Sequence, residues 1–164
     1  MKILVDADAC PTVIREILFR TASRLEIETV LVANQTIRVP KSSLVKAVTV
    51  RDGADVADDR IVELVRKGDV VITADIPLAA RVVEKGAIAI GPRGERYDEN
   101  TIQSRLASRD LMEQLRAAGM ETSGPKPFGK KDAREFSNVL DRTLTALRKS
   151  LRKQTDADGK SEPR

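Results

Sequence analysis

Histidine is absent from the 164-residue chain, cysteine occurs once, and aromatic residues make up only 2% of it. Without histidine the commonest general base and the commonest transition-metal ligand are excluded, so any catalysis must run on carboxylates, hydroxyls, Lys, Arg or the one thiol. The lone Cys10 cannot form an internal disulfide, which agrees with a reducing compartment. Scarce aromatics put the core on Val, Ile, Leu and Ala, favour alternating strands and helices over an aromatic-rich β-sandwich, and argue against base-stacking recognition of single strands. No run approaches the roughly 20 apolar residues of a membrane span. The opening stretch Ile3-Leu4-Val5 meets Asp6 too soon to be the apolar part of a secretory signal, so a cytoplasmic location is expected.

The length suits one domain with one core. The net charge of +4 suits a polyanionic partner, although part of the excess lies after Arg148. Lys2 to Val5 reads as a buried strand ending in Asp6-Ala7-Asp8, followed by a helix with Pro11 in its first turn. Further strands are expected at Ile27 to Ala33, Ala47 to Val50, Asp69 to Ala74 and Ala87 to Ile90. Helices are expected between the third and fourth strands, closed by Gly68, and over Pro77 to Glu84, stopped by Gly86. This alternation predicts a doubly wound, three-layer α/β/α fold with a mostly parallel sheet. Glu99 to Met120 has helical spacing and reads as a hairpin or a bent helix, broken near Ser108-Arg109-Asp110 and ended by Gly119, and Thr122 to Lys131 is a loop. Asp132 and Glu135 form a capping box for the last helix. The domain spans residues 1–150, and 151–164, with no apolar face, is expected to be a disordered tail.

In an open parallel sheet, ligands bind at the carboxyl ends of the strands. Asp6 and Asp8 follow the first strand, Asp52 and Asp55 the third, and Asp75 the fourth, so five carboxylates converge on one edge. Asp55, Asp58 and Asp59 fall at i, i+3 and i+4, on one helical face. Such crowding of like charge calls for a cation, and a hard ion such as Mg²⁺ or Mn²⁺ suits an all-oxygen site. Aspartates at these positions also cap helices, and Asp52 is the one read as a pure cap. Thr73 could donate to a metal-bound water or a phosphate, or simply be a strand threonine. Cys10, at a helix start where a thiolate would be stabilised, is either a buried hydrophobe or a nucleophile. Asn34 and Gln35 end the second strand in a ligand-facing position. Arg93 and Arg96, in the loop Gly91 to Tyr97, could hold phosphate, and the same loop also reads as a solvated turn.

The stretches V-D-A-D-A-C-P at 5–11, V-A-N-Q at 32–35, R-V-P at 38–40, G-A-D-V-A-D at 53–58, I-T-A-D-I-P-L-A at 72–79 and G-P-R-G-E-R-Y at 91–97 resemble the YaiI/YqxD family of bacterial proteins. The resemblance covers roughly residues 1–145 and leaves out the basic tail. That family looks like a distant branch of the PIN-like nuclease folds, and the resemblance implies Mg²⁺ or Mn²⁺ held for RNA cleavage by Asp6, Asp55 and Asp75, with Asp8 and Asp58 as additions. Related nucleases carry a further acid two residues after the fourth-strand aspartate, where this chain has Pro77. A metal-dependent ribonuclease is therefore the leading expectation. A non-catalytic RNA-binding or regulatory module that retains the acidic pocket is one alternative. A haloacid-dehalogenase-type phosphatase, with Asp6 as nucleophile and Asp8 as general acid, is another, although its fifth strand ends in Ile90-Gly91-Pro92 without the paired acids that chemistry uses.

Overall fold

The computed structural model describes residues 1–124 and 126–159. Six strands, β1 (Ile3–Asp6), β2 (Thr29–Ala33), β3 (Val45–Thr49), β4 (Val70–Ile72), β5 (Ile88–Ile90) and β6 (Arg96–Tyr97), form one sheet in the order β3-β2-β1-β4-β5-β6. The five helices are α1 (Thr12–Leu25), α2 (Val56–Leu64), α3 (Ile76–Glu84), α4 (Ile102–Ala117) and α5 (Lys130–Asp158). Strands β1 to β5 are mutually parallel, and β6 adds antiparallel to β5. The three-layer, mostly parallel arrangement read from the sequence is the one observed.

The period of two along each strand divides the core between two layers. Ile3, Val5, Leu31, Val70 and Ile72 face α1 and the Phe136, Val139, Leu140 and Leu144 stripe of α5. Leu4, Val30, Val32 and Val71 face the other way, onto Ile61 of α2, Leu78, Val82 and Val83 of α3, and Ile102 of α4. With both faces covered, the strands can be almost continuously apolar. Gly86 and Gly119, at φ 88° and 80°, end α3 and α4 as the sequence predicts. In each case the following N–H (Ala87, Met120) bonds back to a carbonyl of the last helical turn (Val82, Leu115), a closure that requires the left-handed backbone glycine allows.

Four expectations are corrected. Arg96–Tyr97, read as loop, pair with Ile90 and Ala89 as β6, too short a strand to carry a periodic signal. Helix α4 runs unbroken through Ser108-Arg109-Asp110, where Arg109 pairs with Glu113 one turn on and the Ser108 hydroxyl is taken up by the Ser104 carbonyl at 3.0 Å. The last helix starts at Lys130, with Gly129 as its cap residue; Asp132, placed three residues later, accepts from the Gly129 N–H at 3.0 Å, and Glu135 lies beyond the first turn. Helix α5 also continues past Leu151 to Asp158 as an exposed polar rod, where Arg, Lys, Gln and Ala all favour helix. Residues 160–164 of the expected tail, and Pro125 of the expected loop, lie outside the described residues. Among the described residues no helix is long and apolar enough to cross a membrane.

At the amino end of the sheet, Asp69 is buried and fully occupied. Its carboxylate accepts from the Lys2 N–H at 3.0 Å, the Lys2 ammonium at 2.7 Å and the Arg66 N–H at 2.8 Å, tying the start of β1 to the start of β4. Replacing it leaves an ammonium and two N–H groups without their partner, so Asp69→Ala is expected to cost about 3 kcal/mol in urea unfolding. A loss below about 0.5 kcal/mol, typical of an exposed pair, would show that this tether is not structural.

Candidate active site

Strands β2 and β3 lie to one side of β1, while β4 and β5 lie to the other. The chain therefore reverses its winding between β1 and β4, and the crossovers leaving these neighbours diverge and open a crevice at their carboxyl ends. Asp6 ends β1, and Thr73 and Asp75 follow β4. Alternation sets their direction: Leu4 and Val71 face the α2–α3 layer, so Asp6 and Thr73, each two residues further along, point the same way.

One hydroxyl joins the two strand ends. Thr73 Oγ1 donates to Asp6 Oδ2 at 2.9 Å and accepts the Asp75 N–H at 3.0 Å. Thr73 is 2% exposed, and its hydrogen bonds are spent inside the protein. The expected donation to a phosphate or a bound water is thus replaced by a positioning role. Asp75 in turn caps α3, its Oδ1 accepting from the Leu78 N–H at 2.9 Å, while Oδ2 has no such partner. The capping and functional readings of Asp75 are therefore compatible.

Around this pair stand the other predicted acids. Asp8, exposed, accepts the Asn34 N–H on both oxygens at 3.1 and 2.9 Å, so Asn34 serves the site through its backbone and fixes the β1 loop against the end of β2. Asp55, not Asp52, holds the position before α2; its backbone is left-handed at φ 64°, a conformation aspartate tolerates better than most residues, and its exposed carboxylate makes no capping bond. Asp52 and Gln35 are exposed. Asp58, on the first turn of α2, is half-buried.

The charges feel one another. Burial raises the Asp6 carboxyl above its ordinary pKa, Thr73 opposes the rise, and the Asp75 and Asp8 charges add to it. The Asp58 carboxyl is pushed up to about 6, by burial first and then by Asp75, Asp6 and Asp55, with Arg81 opposing. Arg81 itself pairs with Asp59 at 3.0 Å. Sequence reasoning missed Arg81, because only the packing of α3 on α2 brings it to the acidic face. Among the described residues none of Asp6, Asp8, Asp55, Asp58 and Asp75 makes an ion pair. Among the same residues no three carboxylates or thiols stand close enough to hold one metal ion between them. The all-oxygen donor set and the excess negative charge fit a hard divalent cation, and ligation by three carboxylates requires side-chain movement.

Three further candidates fall into other roles. Cys10 is buried, and its thiol is raised to about 12 by loss of hydration, with Arg15 opposing and Asp6 adding. It is a protonated core group, because burial outweighs the helix start that favoured a thiolate. Arg93 pairs with Asp132 at 3.0 Å, donates to the Lys126 carbonyl and lies over the Phe128 ring. Arg96 pairs with Asp98 at 2.9 Å. Both guanidinium groups are engaged within the protein.

The sequence model of a family described as uncharacterised bacterial, YaiI/YqxD, matches residues 4–146. A protein of Pectobacterium atrosepticum named as UPF0178 is 54% identical over 150 residues, covering 92% of this chain and 100% of its own length. UPF0178 proteins of Shewanella piezotolerans and Burkholderia lata are 53% and 57% identical over 148 and 144 residues, covering 90% and 88% of this chain and 97% and 96% of their own. None of these names states an activity. No solved structure matches the chain.

Because the Asp58 pKa is higher folded than unfolded, its charge opposes folding above about pH 6, and the opposition fades as pH falls towards 3.8. Asp58→Asn is therefore expected to stabilise the metal-free protein more at pH 8 than at pH 4. In side-chain carboxyl NMR, Asp58 should titrate near pH 6 and move lower in Asp75→Asn; a wild-type midpoint in the ordinary carboxylate range would contradict its burial beside like charge, and a midpoint unmoved in Asp75→Asn would contradict the repulsion. Thr73→Val, by removing the one donor to Asp6, should raise the Asp6 midpoint further, and an unchanged midpoint would show that this hydrogen bond is not made in solution.

Proposed function

As the chain belongs to the YaiI/YqxD family, whose description states no activity, we propose its function from the site: a divalent-metal-dependent phosphodiesterase that cleaves RNA. The observation that carries this reading is the Asp6–Thr73–Asp75 bridge at the winding reversal, with the Asp8 charge acting on Asp6, and Asp58 beside it feeling Asp75, Asp6 and Asp55. Asp6, Asp55 and Asp75 would hold Mg²⁺ or Mn²⁺, with Asp8 and Asp58 completing the acidic wall. A bound divalent cation would neutralise this wall, offset charge on a phosphoryl oxygen and make water easier to deprotonate.

The chain's own residues supply the rest. Thr73 holds Asp6 in a single orientation, and the α3 cap fixes Asp75, so two carboxylates are set before any ligand arrives. Asp55, free of capping duty on an exposed turn, has the freedom to complete the set. The resemblance of the motifs to PIN-like nucleases, and a net charge of +4 despite this acidic edge, support RNA as the polyanion. A non-catalytic RNA-binding module is the second reading, favoured by the spacing of the carboxylates, no three of which share an ion site among the described residues.

The test is cleavage of single-stranded RNA by the full chain with Mn²⁺ or Mg²⁺ and with chelator. Asp75→Asn keeps a side-chain oxygen able to cap α3, so folding is retained while charge is removed. Asp6→Asn and Asp75→Asn are each expected to lower metal-dependent cleavage about 100-fold or more. Unaltered cleavage in both would overturn the assignment, and RNA binding without cleavage in the wild type would establish the second reading.

A further inference from the structure

Beside the carboxylates lies a cleft of about 450 Å³ whose lining includes Ala9, Ala74, Arg93, Glu95, Tyr97 and Phe128. It is a direct neighbour of the acidic edge, since Ala9 follows Asp8 and Ala74 separates Thr73 from Asp75. The chain has only four aromatic residues, three Phe and one Tyr, and two of them stand here. Phe128 also packs against the α1–α5 side of the core, as do Phe19 and Phe136, whereas Tyr97 belongs to the opposite layer.

The wall is built before anything binds. Arg93 lies 5.7 Å from the Phe128 ring centre and is pinned by Asp132 and the Lys126 carbonyl, so its charge is already balanced. Tyr97 is anchored in β6 and packed beneath Arg105 at 5.7 Å. A wall held in this way loses little freedom when a ligand enters the cleft. The exception is Glu95. It is half-buried, and among the described residues its carboxylate has neither a hydrogen bond nor an ion pair. It lies against Gly91, where a Cβ would stand 2.0 Å from Oε2, so residue 91 must be glycine for the carboxylate to remain there.

We propose that this cleft is a nucleobase subsite for guanine, with the Glu95 carboxylate accepting the base N1–H and N2–H. Guanine alone among the four RNA bases presents two adjacent N–H donors on one edge, which match the two oxygens of a carboxylate. Adenine and cytosine pair one donor with an acceptor on that edge, and uracil sets its single donor between two acceptors, so each of them would face Glu95 with a repelling lone pair. This inference rests on the phosphodiesterase reading, which places the scissile phosphate at the neighbouring aspartates, and it gives that activity a base preference.

The test is titration of the full chain with guanosine 5′-monophosphate in EDTA, followed by NMR at the Tyr97 ring and the Ala9 and Ala74 methyl groups. Saturable shifts are expected, with the adenosine, cytidine and uridine monophosphates at least roughly tenfold weaker. The isosteric Glu95→Gln should abolish that preference while leaving resonances elsewhere in place. Absence of shifts at millimolar guanosine monophosphate, equal binding of all four nucleotides, or an unchanged preference in Glu95→Gln would each overturn the proposal. Because no metal or turnover is involved, nucleotide binding survives failure of the nuclease assignment. Metal-dependent cleavage without guanosine monophosphate binding would overturn the base subsite alone.

Discussion

Everything at the candidate site depends on β1 having a parallel partner on each side. Because β2 and β4 flank it, the chain must wind one way through α1 and return on the opposite layer through α2, so the crossovers leaving β1 and β4 diverge and open a crevice. The register then does the local work: Val5 lies beside Ile72, so Asp6 and Thr73 are the next residues across from each other. One hydrogen bond, from a buried threonine, turns this adjacency into a fixed orientation of the Asp6 carboxylate.

The two ends of the same pair of strands show how charge is treated differently. At the amino end, Asp69 is surrounded by three donors, one of them an ammonium, and nothing about it asks for a further partner. At the carboxyl end, Asp6 and Asp58 are raised first by burial; Asp6 has one neutral donor and faces the charges of Asp75 and Asp8, while Asp58 also feels three aspartates and is relieved by Arg81. Repulsion of this kind weakens a fold, and it concentrates where the topology opens a crevice. The proposed cation site would account for both facts together.

Much of the layout was legible because short, continuously apolar runs and their Gly and Pro boundaries are strong local signals. The five parallel strands, the glycine stops at 86 and 119 and the collection of aspartates on one edge all follow from such signals. What escaped was non-local. The two-residue β6 is created by pairing with β5, not by its own pattern. Arg93 and Arg96 look like free cations in the sequence, and only the fold brings Asp132 to Arg93 across 39 positions. Thr73 reads in the sequence as an ordinary strand threonine, but it follows β4, and its importance comes from register with β1, 67 residues away. Few aromatics in total argued against base stacking, a conclusion drawn from composition that could not register two of the four meeting in one cleft.

The central claim, that the carboxyl ends of β1 and β4 form a site for a hard cation, is tested most directly by calorimetric titration of the purified full chain with Mn²⁺ and Mg²⁺, alongside Asp6→Asn and Asp75→Asn. Saturable binding in the wild type, lost in both variants, is the predicted result. No binding at millimolar metal, or binding that persists in both variants, would contradict it and leave the repulsion among these aspartates without the role assigned to it here.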